Sequence, residues 1–439
     1  MKRIFSLITT ALLLCFCTTA QAQENGVNSP FSRYGIGLLS DQSQGFNKGM
    51  AGLAYGMRDG RELNYKNPAS YSAIDSLTFL FDMGVSLQNG NFDTGKASVN
   101  ARNVSLDYVS MGFRINRGFG MSVGMMPISN IGYKISSTGN SFDGGITGDI
   151  TPTISYNGAG GLREIYAGVG YAPVKPISIG VNFGYMWGVM SHVATNSYTD
   201  NNVQSINRAY TTDIRNFDLD AGIQWHQRIN KKNSFTLGLT YNLGHDIPGK
   251  SYFYNQRISG SAVLAADTLV AEKAWSLPHC FGAGLTWEHG KSLRIGVDYN
   301  LQQWSKAKQP IYDGSRPLGE QYYGGSDGYT DVTRLTIGAE YVPNPNGLTW
   351  ASRIRYRAGF SYGNTYTLVE GKKSPKNYLA TIGAAFPIIN RFGNRTFLNL
   401  SGQYERVKPE MPGQITENYF RICLGITFNE RWFMKWKVE

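Results

Sequence analysis

The chain has 439 residues, of which 52 are Gly, 27 Tyr and 22 Phe; only 17% are charged, and the formal net charge is +11. No dense Lys/Arg block interleaved with aromatics occurs, so the basic balance does not indicate nucleic acid, and Cys280 and Cys423 alone lie beyond the first 22 residues, too few for a disulfide scaffold. No apolar run after residue 22 reaches the length of a membrane-spanning helix, and the aromatic, glycine-rich composition fits many β-strands, in a soluble sandwich or propeller as well as in a membrane barrel.

Residues 1–22 read as an export signal. Lys2 and Arg3 give a positive start, Ile4 to Cys17 is apolar, and Ala20-Gln21-Ala22 offers a small-residue cleavage site before Gln23. The apolar run is too short for a bilayer anchor. A lipid-attachment signal at Cys15 or Cys17 is disfavoured by the bulky residues before each. Removing Lys2 and Arg3 takes the charge from +11 to +9.

Residues 23–44 form a lead-in without periodicity. From Gly45 the chain is small and apolar (Gly45, Gly49, Ala51, Gly52, Gly56), then reaches a rigid corner at Asn67-Pro68-Ala69. Leu77, Phe79, Phe81, Met83, Val85 and Leu87 then alternate with smaller or polar residues, the period of a half-buried strand. The expectation over 23–76 is this lead-in followed by a plug from Gly45 to about Ser76, and then the first strand of a barrel.

Fourteen strand-like segments follow, near 77–88, 104–115, 119–127, 163–172, 177–188, 209–225, 234–243, 280–288, 292–304, 332–341, 352–362, 376–386, 396–405 and 418–428. In 104–115 the apolar phase switches near Tyr108, which predicts a bulge there. Connections alternate long (89–103, 128–162, 189–208, 244–279, 305–331, 363–375, 406–417) and short, and the short ones collect Arg117, Lys175, Arg228, Lys231, Lys232 and Lys291. Long loops at one end, short turns at the other and an even strand number predict an all-β, 14-stranded antiparallel transmembrane barrel over 77–428, in the outer membrane of a Gram-negative bacterium. So wide a barrel needs a plug. Residues 429–439 are expected to form a periplasmic or interfacial tail.

The Gly-rich segment closing on Asn67-Pro68-Ala69 before strand one resembles the N-terminal hatch of the FadL family of outer-membrane hydrophobic-compound transporters. Asp298-Tyr299 with Gln303-Trp304-Ser305, Gly338-Ala-Glu340-Tyr341 and Arg357-Ala-Gly359-Phe-Ser-Tyr362 are similar to later strands of that family. The resemblance runs from about Gly45 to Phe428; the chain departs from it in continuing past Phe428. It implies passive uptake of hydrophobic or amphiphilic compounds, such as long-chain fatty acids, with lateral release through the wall. Gly118, Gly120, Gly124 and Pro127 are the candidate lateral gate, because Gly weakens a strand and Pro removes a ladder donor. The alternative for these glycines is space for the plug.

Candidate ligand contacts are Leu53, Tyr55, Met57 and Leu63 in the plug, and Tyr133, Tyr252, Phe253 and Tyr254 in expected external loops, where an aromatic girdle is the competing reading. Gly120-Met-Ser122-Val-Gly124 and Gly359-Phe-Ser361-Tyr-Gly363 match a nucleophile pattern but sit in alternating strands, not at strand–turn–helix elbows. The five His show no metal spacing. No enzyme, cofactor or metal is expected. The expected partners are outer-membrane lipid and lipopolysaccharide, hydrophobic small molecules, and other outer-membrane or periplasmic proteins. The last fits a second functional reading, in which a non-transporting barrel of this type serves as a subunit or shuttle of protein secretion or assembly machinery.

Overall fold

The computed structural model describes residues 28–431 apart from 96, 144–148, 201–202, 261, 318, 348, 369–370, 372, 390–394 and 412. The expected export signal and the tail from 432 onward lie outside the described residues. Fourteen antiparallel strands close into a barrel: β1 (Thr78–Asp93), β2 (Ser98–Asn116), β3 (Phe119–Thr138), β4 (Pro152–Val174), β5 (Ile177–Tyr198), β6 (Ser205–Arg228), β7 (Asn233–Asn242), β8 (Cys280–His289), β9 (Leu293–Gln302), β10 (Val332–Tyr341), β11 (Arg355–Asn364), β12 (Lys376–Ile389), β13 (Arg395–Lys408) and β14 (Thr416–Arg431). Closure is made by β1 and β14, paired from Thr78–Arg431 to Asp93–Thr416. That pairing closes the sheet on itself, as a strand-built membrane span requires.

The period of two sorts the side chains. In β5, Ile179, Val181, Phe183 and Tyr185 are exposed on the outside, while Ser178, Asn182 and Met186 are buried inside. The shift expected near Tyr108 is present: the β1–β2 register slips between Gly84 and Val85, where Gly84 faces Tyr108 and Val85 faces Leu106. Asp107 is the extra residue, so Tyr108 turns inward and donates to Asp82.

Several boundaries differ from the sequence reading. The expected loops 89–103, 128–162 and 189–208 are largely strand, since β1 and β2 meet at 94–97, β3 runs to Thr138, and β5 and β6 extend to Tyr198 and from Ser205. Strand ends that rise past the apolar band carry polar residues on both faces and lose the alternation by which a strand is recognised. The expected loop 244–279 contains a hairpin, Lys250–Ser259 with Ala262–Glu272, which pairs with the upper half of β6. At the other end Asn429, Glu430 and Arg431 are not tail but the last residues of β14, opposite Leu80, Phe79 and Thr78.

Candidate functional site

Residues 41–75 pack against the inward faces of the strands and fill the lumen. Met50, Leu53, Ala54, Met57, Leu63 and Ala69 have no exposed surface. Asn67 caps a short 3₁₀ turn, Pro68–Ala73: its Oδ1 accepts from the Ala69 N–H and its Nδ2 donates to the Tyr55 carbonyl. The wall answers this backbone with glycine. Gly120, Gly170, Gly180 and Gly222 stand opposite one another across β3, β4, β5 and β6. A Cβ on Gly120 would strike the Tyr71 carbonyl, on Gly170 or Gly180 the Pro68 peptide, and on Gly222 the Asn67 side chain. Of the two roles open to Gly120, making room for the plug is the one this contact supports.

An ion cluster fastens the plug to the opposite wall. Arg294, Glu340 and Arg357 are direct neighbours across β9, β10 and β11. Arg357 donates to Glu340 at 2.7 Å, to Glu62 of the plug at 2.8 Å and to Asn399 at 2.6 Å. Arg355 reaches Asp59 and Glu62 at 3.2 Å each, and Arg294 reaches Asp59 at 3.3 Å and Glu288 at 2.7 Å. Further round, Asp298 accepts from the Ala54 and Tyr55 N–H groups, and the Tyr65 hydroxyl donates to Glu164 and Asp220. In the sequence Glu340 and Arg357 stand out only as members of family-like motifs; the signal that points to the cluster is charge at inward strand positions, which requires a partner inside.

Burial alone would raise the Asp59 carboxyl, but the guanidiniums of Arg355 and Arg294 outweigh it and hold the group below the usual carboxylate range. Asp41 behaves likewise, with Lys66 and Lys48 overcoming its burial. A depressed folded pKa stabilises the plug fully above the unfolded value of about 4 and is lost as pH falls below it. The contribution of Asp59 and Asp41 should therefore be lost only below about pH 4, read as a rise in the labelling of a cysteine at Ala51 there; labelling that does not rise at about pH 3 would contradict this.

Above the plug lies a cavity of about 660 Å³. Its lining mixes aromatic and apolar residues (Phe31, Leu38, Tyr55, Ile128, Tyr241, Trp304) with charged ones (Lys48, Lys66, Asp107, Asp298, Arg334, Glu405, Arg421). Ile36, Trp304, Tyr329 and Tyr366 cluster beside it, and Tyr366 donates to the Tyr34 and Gly37 carbonyls. On one side the cavity meets an interruption of the wall. The β2–β3 ladder extends only from Asn116–Phe119 to Val109–Met125, whereas β2 stays paired with β1 as far as Ser98. Past Met125, β3 shifts register against β4 at Pro127–Ser129 and pairs at Ser129 and Asn130 with Leu39 and Leu38 of the lead-in. Val104 and Leu106, highly exposed, and Pro127 and Ile128 line the cavity at this gap.

The sequence candidates are scattered. Pro127 lies at the gap; Gly118 is in the turn before β3; Gly124 packs under the Tyr166 ring. Of the eight ligand-contact candidates only Tyr55 lines the cavity, its hydroxyl accepting from Asn300. Leu53 and Met57 are sealed in a cluster with Phe46 and Met50, and Leu63 packs with Tyr71, Ile74 and Leu80. Tyr133 lies not in a loop but inside β3, buried and stacked on His192. Tyr252, Phe253 and Tyr254 belong to the hairpin, where Phe253 packs among Tyr210, Tyr312 and Tyr322. Among the described residues no group of three or more His, Cys, Asp or Glu is placed to hold a metal.

A large closed barrel filled by its own N-terminal segment, with no described helix long and apolar enough to cross a membrane, resembles the outer-membrane barrels of Gram-negative bacteria. Solved structures that share the fold include three hydrophobic-compound channels or their homologues. The CymD monoaromatic hydrocarbon channel has 13% identity and a TM-score of 0.58 over 89% of this chain and 98% of its own. A Pseudomonas aeruginosa FadL homologue has 12% identity and a TM-score of 0.60 over 88% and 98%. The Ralstonia pickettii toluene transporter TbuX has 13% identity and a TM-score of 0.58 over 87% and 97%. The resemblance read from the sequence thus holds at the level of fold. The BamG model matches residues 1–439, and the chain belongs to the BamG family. No curated protein matches it.

Proposed function

We propose that this protein is a plugged, non-transporting barrel that serves as a subunit or shuttle of outer-membrane protein secretion or assembly machinery. The observation that carries this reading is the charged lumen. An acyl chain leaving water gains about 0.8 kcal/mol per buried CH₂ only where the walls are apolar. Here Arg334, Glu405, Arg421, Asp298, Lys48 and Lys66 line the space above the plug, and the plug is tied down by buried ion pairs. Membership of the BamG family is compatible with it. Nothing in the reading requires a catalytic step.

A second reading, uptake of a hydrophobic compound with lateral release, is favoured by the end of the β2–β3 ladder at Val109–Met125 and the apolar lips around it. One pair of measurements separates the two. Vesicles carrying the protein should take up a hydrophobic dye no faster than empty vesicles, and depleting it from cells should lower the amount of correctly assembled outer-membrane barrels. A thiol-reactive bulky group on Ile128→Cys, set in the gap, should leave that assembly unchanged. Dye uptake several-fold above empty vesicles and abolished by the same group would overturn the scaffold reading.

A further inference from the structure

The outside of the wall carries a second site, at the level of the gap. Pro127 on β3 stands opposite Arg163 on β4, Arg163 opposite Trp187 on β5, and Trp187 opposite Arg215 on β6. All lie in the outward phase of their strands, Pro127 and Arg163 at the rim where the cavity meets the gap. The next row toward the short-turn end is Met125, Ile165, Tyr185 and Phe217, and the apolar surface continues to Trp225, opposite Ile177. From Arg215 to Trp225 is ten residues, which at ~3.3 Å each and a tilt of ~45° is about 23 Å, close to the ~25 Å apolar band of such barrels. Arg163, Trp187 and Arg215 therefore stand where the hydrocarbon ends on the long-loop side, the level of outer-leaflet headgroups.

Two guanidiniums at that border need anions. The Arg163 side chain is exposed and makes no hydrogen bond or ion pair among the described residues. Arg215 pairs only with Asp213, at 3.1 Å, with 72% and 53% of the two side chains exposed; such a pair contributes roughly 0–1 kcal/mol and is readily displaced. Between them Trp187 stacks on Tyr185 at 6.0 Å and 20°, the amphipathic rings favoured at an interface. A shallow groove formed by Ile165, Tyr185, Trp187, Val189, Asp213 and Arg215 runs beside them.

We infer that Arg163 and Arg215 together hold a phosphate group of an outer-leaflet glycolipid, whose acyl chains lie along Ile165, Phe183 and Phe217 immediately beside the gap. Their backbones are two strand spacings apart, about 10 Å, a span that two arginine side chains cover, and charge-assisted bonds to phosphate are the strong ones. The site rests on the outer-membrane reading but not on either functional reading, since Trp187, Arg215 and the groove beside them lie outside the lumen, with Arg163 at the rim where the cavity meets the gap.

Native mass spectrometry of the purified full chain with diphosphorylated lipid A, with the same lipid dephosphorylated, and with inorganic phosphate as competitor tests it. The expected result is one retained diphosphorylated lipid, at least tenfold weaker retention in Arg163→Ala/Arg215→Ala, tighter retention in Asp213→Asn, and little competition by millimolar phosphate. Equal retention by the double variant, or of the dephosphorylated lipid, overturns the site; full competition by inorganic phosphate overturns the lipid as its occupant. All three residues are exposed, so heat-modifiable gel migration should be unchanged. Should the double variant not fold, the phosphate dependence of the wild type and the Asp213→Asn result decide.

Discussion

Replacing Arg357 by Ala should lower the stability of the folded barrel and release the plug from the wall beneath it. Only 1% of the Arg357 side chain is exposed, and its partners Glu62 and Glu340 are 0% and 6% exposed. The cluster holds three arginines (Arg294, Arg355, Arg357) against four carboxylates (Asp59, Glu62, Glu288, Glu340). Removing one arginine leaves acidic groups facing each other out of water. Breaking a buried pair from one side costs about 3–5 kcal/mol, mostly from the charge left behind. The urea midpoint should fall, the heat-modifiable band should be lost at lower temperature, and a cysteine at Ala51 should become reactive. Arg357→Lys keeps the charge but cannot reach Glu62, Glu340 and Asn399 at once, so it should recover only part of the loss. Adding Glu340→Gln to Arg357→Ala should recover more, because it removes one of the carboxylates left in excess over Arg294 and Arg355. An Arg357→Ala barrel as stable as the wild type would show that the cluster does not anchor the plug.

Gly180→Val should be at least as damaging, by a different route. A Cβ at Gly180 falls on the carbonyl carbon of Pro68 and the N–H of Ala69. Those atoms belong to the 3₁₀ turn that Asn67 caps and Pro68 stiffens, so neither a rotamer change nor a small backbone shift relieves the contact. Overpacking typically costs 1–3 kcal/mol, and collision with fixed backbone lies at or beyond the top of that range. The expected outcome is a barrel with its plug displaced, read as labelling at Ala51→Cys in the folded band, or a barrel that does not assemble. Gly402→Val on β13 is the control: the nearest atom to its Cβ is Ile382 Cγ2 at 3.9 Å, and migration and labelling should match the wild type. Equal behaviour of the two variants would remove the close fit between wall and plug.

The strand number and the bulge near Tyr108 are legible in the sequence through local alternation, and the closed antiparallel barrel through the long and short connections between the strands. One face of a membrane strand must be apolar, and one inserted residue flips the faces. Where lipid stops imposing that pattern, as between Ile128 and Thr138 on β3 or in the Lys250–Glu272 hairpin, strand continues without a signature. The glycines were legible as small residues on the inner face, but not their register. Only the closed barrel sets Gly120, Gly170, Gly180 and Gly222 in one row under the Asn67–Tyr71 backbone. The ion cluster is of the same kind. Asp59 and Glu62 are more than two hundred residues from Arg294, Arg355 and Arg357, so no local pattern joins them. Their pairing is decided by which strand faces which part of the plug, and that depends on tertiary closure: the lumen is shared by all fourteen strands and belongs to no segment of the chain.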